Sequence, residues 1–185
     1  LLFTPEGKIL GAQVVGNDGV DAIINVIATA LRAGMSVHDL EHMELAYSPQ
    51  WGGAKHPINI AGFVASNVVR GDVTVIEPDN PPDGLLWLDV RTPAEAASGQ
   101  LPGSTLIPVD SLRDRMGELP KGKPIGVYCA VGLRGYVACR MLQQHGYTAS
   151  NLNGGYRTWL CFQKTDRSAT PASQSTPDAG RAKPV

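Results

Sequence analysis

From residue 85 to residue 160, short apolar runs alternate with longer amphipathic ones. They read LLWLDV (85–90), PAEAAS (93–98), TLIPV (105–109), SLRDRMGEL (111–119), IGVYC (125–129), GYVACRMLQQHG (135–146), ASNLN (149–153) and a last helical run from Gly155. Strands separated by helices cannot close as hairpins, because each return has to cross a face of the sheet. The pattern therefore predicts an α/β fold, a parallel sheet flanked by helices on both faces.

The residues before it read differently. Residues 1–16 predict two strands joined at Pro5, Glu6 and Gly7, a hairpin whose sheet needs further strands and which suggests a fragment of a longer protein. Residues 19–33 predict a helix in which Val20, Ile23, Ile24, Val26, Ile27, Ala30 and Leu31 cover most of the circumference. Such a helix is expected to be buried on more than one side, at a subunit or domain interface. Gly34 closes it, and Ser36 with Asp39 forms a capping-box variant that opens a second helix carrying Leu40, Met43 and Tyr47 on one side. A turn-rich SPQWGGAKHP leads to a short helix over 57–70, and EPDNPPDG (77–84) marks a boundary. The expected organisation is a partial α+β segment over 1–70, a linker over 71–83, the α/β domain over 84–162 and a Ser/Thr/Pro/Ala-rich disordered tail over 163–185.

Composition excludes several classes of function. Sixteen Lys and Arg balance 17 Asp and Glu, and no basic stripe interleaved with aromatics is present, so no nucleic-acid partner is expected. Polar residues break every apolar run well short of the roughly 20 needed to span a bilayer, so no membrane association is expected either. Cys129, Cys139 and Cys161 make an odd count without a CxxC pair, which fits a reducing cytoplasm better than a disulfide framework or a zinc site. His38 and His42 stand at i, i+4 beside Asp39 and Glu41 and read as a solvated face; no metal site is predicted. No GxGxxG follows a strand, so this chain is expected to hold neither FAD nor a nicotinamide dinucleotide.

The chemistry-bearing stretch is VYCAVGLRGY (127–136), with Cys129 at the carboxyl end of a strand and Arg134 five residues later where a helix begins. In open α/β sheets, ligands bind at such ends. The backbone of Ala130, Val131, Gly132, Leu133 and Arg134 is short enough to curl so that its N–H groups point at the sulfur, with Gly132 free to take a positive φ. Thiols at helix N-termini and beside cations ionise more readily than free ones. On placement alone, a small buried hydrophobe at a strand end accounts for Cys129 equally well. Cys139, among Val137, Ala138, Met141 and Leu142 of the next helix, reads as a buried thiol, and Cys161 stands near the tail.

Three stretches, LLWLDVRTPAEAASGQLPGSTLIPVDSL, IGVYCAVGLRGYVACRMLQQHGY and NLNGGYRTW, resemble a single rhodanese domain over about residues 84–160. The resemblance implies that Cys129 is a sulfur-accepting nucleophile. It also implies that residues 130–135, through Gly135, form the substrate-binding loop, with Arg134 closing it. Asp89 and Arg91 match the family's structural pair, with Glu95 expected as a partner for Arg91. Gln100 stands where the family commonly has His. The Cys129 thiolate would take the outer sulfur of thiosulfate, a persulfide or a polysulfide and pass it to a thiol, cyanide or a reductant. Cysteine phosphatases and arsenate reductases use the same thiolate, nest and arginine, but with five residues between Cys and Arg where this loop has four. Silent rhodanese-like binding modules usually lack the cysteine.

Residues 9–65, with LAYSPQWGGAKHPIN as the most specific piece, resemble the dimerisation domain of FAD-dependent pyridine nucleotide-disulfide oxidoreductases of the CoA-disulfide reductase branch. The resemblance implies a homodimer through residues 1–66 and a parent enzyme that uses FAD, NAD(P)H and CoA. In that enzyme Tyr47 would reach the flavin-side cysteine of the partner subunit; in this chain alone it reads as a packing residue at a helix end, because that target is missing. Two classes of function stay open, a sulfurtransferase and a sulfur-carrying or docking module without turnover of its own.

Overall fold

The computed structural model describes residues 1–50 and 52–164. Its elements are β1 (Leu2–Phe3), β2 (Ile9–Gly11), α1 (Val20–Arg32), α2 (Val37–His42), α3 (Pro57–Val69), β3 (Thr74–Ile76), β4 (Leu86–Asp89), α4 (Pro93–Ala96), β5 (Thr105–Leu106), α5 (Val109–Arg115), β6 (Ile125–Tyr128), α6 (Leu133–Gln144), β7 (Ala149–Leu152) and α7 (Gly155–Lys164). Five strands form one parallel sheet in the order β3-β7-β6-β4-β5. Among the described residues, no helix is long and apolar enough to cross a membrane.

The two-residue period of the strands sorts their side chains onto two faces. Leu88, Val90, Ile125, Val127, Cys129 and Ala149 pack with Leu112 of α5 and with Ala138, Cys139 and Leu142 of α6. On the opposite face Tyr128, Ile76 and Leu152 pack with Tyr156, Trp159 and Leu160 of α7. The expected α/β sheet, with helices on both faces, is thus the fold observed.

Several boundaries differ from expectation. Strand β3 lies inside 71–83, the stretch read as a linker, and pairs with β7 through Thr74–Ser150, Val75–Asn151 and Ile76–Leu152. Three residues carry too short a period to be legible, and their strand state depends on a partner 76 positions away. Helix α6 begins at Leu133, not at 135, which brings Arg134 into its first turn. Helix α7 runs through Lys164, so two residues assigned to the tail are helical; the rest of the predicted tail lies outside the described residues.

In the first 70 residues, β1 and β2 pair antiparallel, and α1, α2 and α3 pack around Ile9, Ile27, Ala30, Val37, Leu40, Ile58 and Ala65. The capping box of Ser36 and Asp39 is present. Within this chain only Ile27 and Ala30 of α1 are buried, because one face alone meets β2 and α3; its second covering side is expected from a further subunit or domain. One expectation fails. Helix α2 stops at His42, where Met43 turns extended, so Tyr47 lies in the coil beyond it and is 57% exposed. That turn is held from α3: Asn59 Nδ2 donates to the carbonyls of Leu40 at 3.1 Å and Met43 at 2.8 Å.

Helices α2 and α3 approach so closely that a Cβ on Gly62 would overlap the backbone of Leu40 and Glu41. Replacing Gly62 with Ala should destabilise this part of the chain by about 1–3 kcal/mol, the usual cost of forcing atoms into a packed contact. Urea titration followed by circular dichroism checks this, and an unchanged transition would show that the helices separate freely.

Candidate functional site

At the carboxyl end of β6, the side chain of Cys129 is 1% exposed and its Sγ accepts the Gly132 N–H at 3.1 Å. Gly132 stands at φ 116°, a conformation that side chains rarely adopt, and serves as the N-cap of α6. Of the amides expected to face the sulfur, that of Gly132 is the one found at hydrogen-bond distance among the described residues. The loop is held from behind as well: Tyr156 N–H donates to the Cys129 carbonyl at 2.8 Å and Arg157 N–H to that of Ala130 at 3.1 Å. These donors belong to the first turn of α7, where N–H groups lack partners within the helix. Val131 and Leu133 stand exposed at the rim, Arg134 is half-buried and Gly135 is buried.

Arg134 is fixed by a carboxylate. Its Nη1 donates to Glu95 Oε2 at 2.7 Å and its Nη2 to Oε1 at 2.6 Å, a two-point pairing across the mouth of the loop. Glu95 Oε2 also accepts the Thr92 N–H at 3.0 Å, completing the capping box that starts α4. Arg134 and, after it, the Thr92 N–H hold the Glu95 carboxyl down to about 2. Glu95 and the nearby Cys129 in turn raise Arg134 above the ordinary arginine value, against the opposing effect of burial. This corrects the expected pairing: the Glu95 carboxylate serves Arg134, and Arg91 meets only the Glu95 carbonyl, at 3.4 Å.

Asp89 and Arg91 do form a pair, wholly inside the protein. Arg91 Nη2 lies 2.7 Å and Nε 2.9 Å from the two Asp89 oxygens, and the backbone N–H of Arg91 donates to Oδ1 at 3.0 Å. Arg91 also donates to the Gly99 carbonyl at 2.7 Å and lies over the ring of Tyr156 at 4.1 Å. Burial pulls the Arg91 pKa down, but Asp89 more than offsets this and it stands raised. Gln100 Nε2 reaches Asp89 Oδ2 at 3.4 Å and so adds a contact to the buried pair.

Tyr47 is not drawn to this place. It lines a separate hollow with Met43, Glu44, Gly53 and His56. Cys139 is fully buried in α6, where desolvation pushes its thiol up to about 12. Cys161 is exposed on α7. No group of three or more His, Cys, Asp or Glu suited to a metal occurs among the described residues. Sequence reasoning missed Asn151, whose Nδ2 donates to the Gly132 carbonyl at 3.1 Å; its position on a strand 19 residues away carries no local signal.

Residues 77–160 match the family model described as a rhodanese-like domain. A sulfurtransferase of Allochromatium vinosum is 41% identical over 78 residues, which cover 42% of this chain and 73% of that protein. Among solved structures, reduced CoADR-RHD of Bacillus anthracis matches with a TM-score of 0.76 and 42% identity, over 78% of this chain and 27% of that one. A NAD-dependent persulfide reductase from A. fulgidus matches with a TM-score of 0.69 and 33% identity, over 80% and 26%. This chain thus spans about a quarter of the length of those two structures.

Two outcomes follow from the charges. Removing Arg91 by Arg91→Ala leaves Asp89 buried and unpaired and should cost about 3–5 kcal/mol in denaturant titrations. Glu95 has a folded pKa below its ordinary 4.5, so its bridge stabilises above that value and is lost as pH falls towards about 2. The melting-temperature gap between wild type and Glu95→Gln should therefore be small but present at neutral pH, since the pair is a third exposed, and should close on acidification. A gap independent of pH would contradict this account.

Proposed function

This chain belongs to the rhodanese family, and we propose that its rhodanese domain is a sulfurtransferase carrying sulfane sulfur as a persulfide on Cys129. The observation that carries the reading is a nearly enclosed thiol whose sulfur accepts a loop N–H, with Arg134 beside it and the loop tied to α7. The Cys129 thiolate attacks the outer sulfur of the donor, the new S–S bond forms on Sγ, and the old one breaks with its electron pair leaving on the donor residue, sulfite or a thiolate. An acceptor thiolate then attacks the outer sulfur, takes it as a persulfide and restores the Cys129 thiolate. No net oxidation occurs in the cycle, and the Gly132 N–H stabilises the Cys129 thiolate. Arg134 and the backbone of residues 130–135 form the substrate loop, while Asp89 and Arg91 hold the floor beneath it.

For residues 1–70 we propose a partial dimerisation domain of a CoA-disulfide reductase-like flavoprotein, followed within a few residues by β3, the first strand of the rhodanese sheet. Supporting this is the match to the Bacillus anthracis structure, which covers a longer share of the chain than residues 77–160 supply. Pairing of two copies through residues 1–66 would cover the face of α1 that this chain leaves open, and Tyr47 would then serve the partner subunit. FAD, NAD(P)H and CoA belong to the parent protein in this reading. The residues present offer no Gly-rich dinucleotide turn, so no step here runs through those groups.

Treating the protein and a Cys129→Ala variant with thiosulfate, and separately with polysulfide, should give a one-sulfur mass gain that maps to Cys129 and is absent from the variant. Turnover with cyanide as acceptor then identifies an enzyme, and loading without turnover identifies a sulfur-carrying module. Absence of any gain from either donor would overturn the sulfur-transfer reading.

A further inference from the structure

Asn151 is a buried polar side chain for which sulfur transfer, as described, has no use. It is 8% exposed and stands on β7 in register with Val127, two residues before Cys129. Strand alternation turns it to the same face as Cys129 and α6. Its Nδ2 donates to the Gly132 carbonyl at 3.1 Å, while its Oδ1 is buried and finds no partner among the described residues. Gly135 makes room for that oxygen: a Cβ there would overlap Asn151 Oδ1.

We propose that Asn151 is a positioning residue for Cys129, its carboxamide holding Gly132 in the backbone setting that aims the Gly132 N–H at the sulfur. A glycine at φ 116° has no side chain to lock it and the widest conformational freedom of any residue. Its two polar groups are therefore fixed from outside. The carbonyl accepts both Asn151 Nδ2 and, at 2.8 Å, the Tyr136 N–H, and the N–H on the other side of the same residue is left to point at Sγ. Since Asn151 belongs to the sheet, β7 adds a hold on the loop from outside it, beside that of α6. The unpaired oxygen supports a role other than stability. A buried acceptor without a partner lowers stability, and an apolar side chain of similar volume would remove that cost while losing the hold on Gly132. A hold on the carbonyl also leaves the N–H free to follow the charge as Cys129 alternates between thiolate and persulfide, the one point at which the proposal rests on the sulfur-transfer reading.

The test uses the full chain carrying Cys161→Ser, so that Cys129 is followed without the exposed thiol, and compares Asn151→Leu with its parent. Arg134 and Glu95, the charged groups at the loop, are untouched in both. Alkylation of Cys129 by iodoacetamide is followed by peptide mapping across a range of pH, beside thermal melting of each protein. The expected result is a pH–rate profile displaced to higher pH, with the rate at neutral pH lowered about threefold to tenfold, the worth of one hydrogen bond, and a melting temperature no lower than the parent's. Asn151→Ser, smaller than the native side chain and too short to reach Gly132, should displace the profile likewise and decides the matter if the Leu variant does not fold. A profile that coincides with the parent's, whether or not the melting temperature falls, makes Asn151 structural and overturns the proposal. Sulfur loading of the parent is measured alongside. If the parent fails to load, the sulfur-transfer reading fails, while the alkylation comparison still decides the role of Asn151.

Discussion

The ion pair of Asp89 and Arg91 holds the carboxyl end of the sheet together. Two charges removed from water are costly unless every hydrogen-bonding group is satisfied. Here Arg91 spends its donors on Asp89, on the Gly99 carbonyl and on the Glu95 carbonyl, with its flat face against Tyr156. The pair thereby joins β4, the start of α4, the turn after it and the first turn of α7. Since α7 also donates to the carbonyls of Cys129 and Ala130, one buried arginine sets the frame in which the cysteine loop stands.

Strand β6 divides support from chemistry by its pleat. Tyr128 faces α7, where its hydroxyl meets Ser104 Oγ at 2.8 Å and the Leu101 N–H at 3.2 Å, and burial raises its pKa. Cys129, one residue on, turns to the opposite face and the N-terminus of α6. A phenol locked in place thus anchors the strand from one side while the thiol is presented on the other. Glu95 links the two sides again: its carboxylate closes the capping box of α4 and also holds Arg134, so the helix start and the loop mouth share one charge.

Much of this was legible before any coordinates. The cysteine turn was readable because its elements are local: a β-branched run, a cysteine, a glycine able to take positive φ and an arginine within six residues. Asp89 and Arg91 are likewise two residues apart. Glu95 is expected beside Arg91, four residues away, whereas its carboxylate meets Arg134, 39 residues away, and no local pattern reports a contact over that separation. Strand β3 and Asn151 stayed hidden for the same reason, since each acquires its role from a neighbour brought by the sheet. Helix α1 shows a different limit, because periodicity reports which faces are apolar and not what covers them.

What the sequence determined by itself is the alternation of element types, the parallel sheet that follows from it and the identity of the loop bearing the thiol, because period, turn chemistry and handedness act over a few residues. The tertiary structure alone decided which carboxylate answers Arg134, which strand edges the sheet and which side chain reaches across to Gly132. Those choices are made by strand register and by the satisfaction of buried polar groups, which depend on residues far apart in the chain.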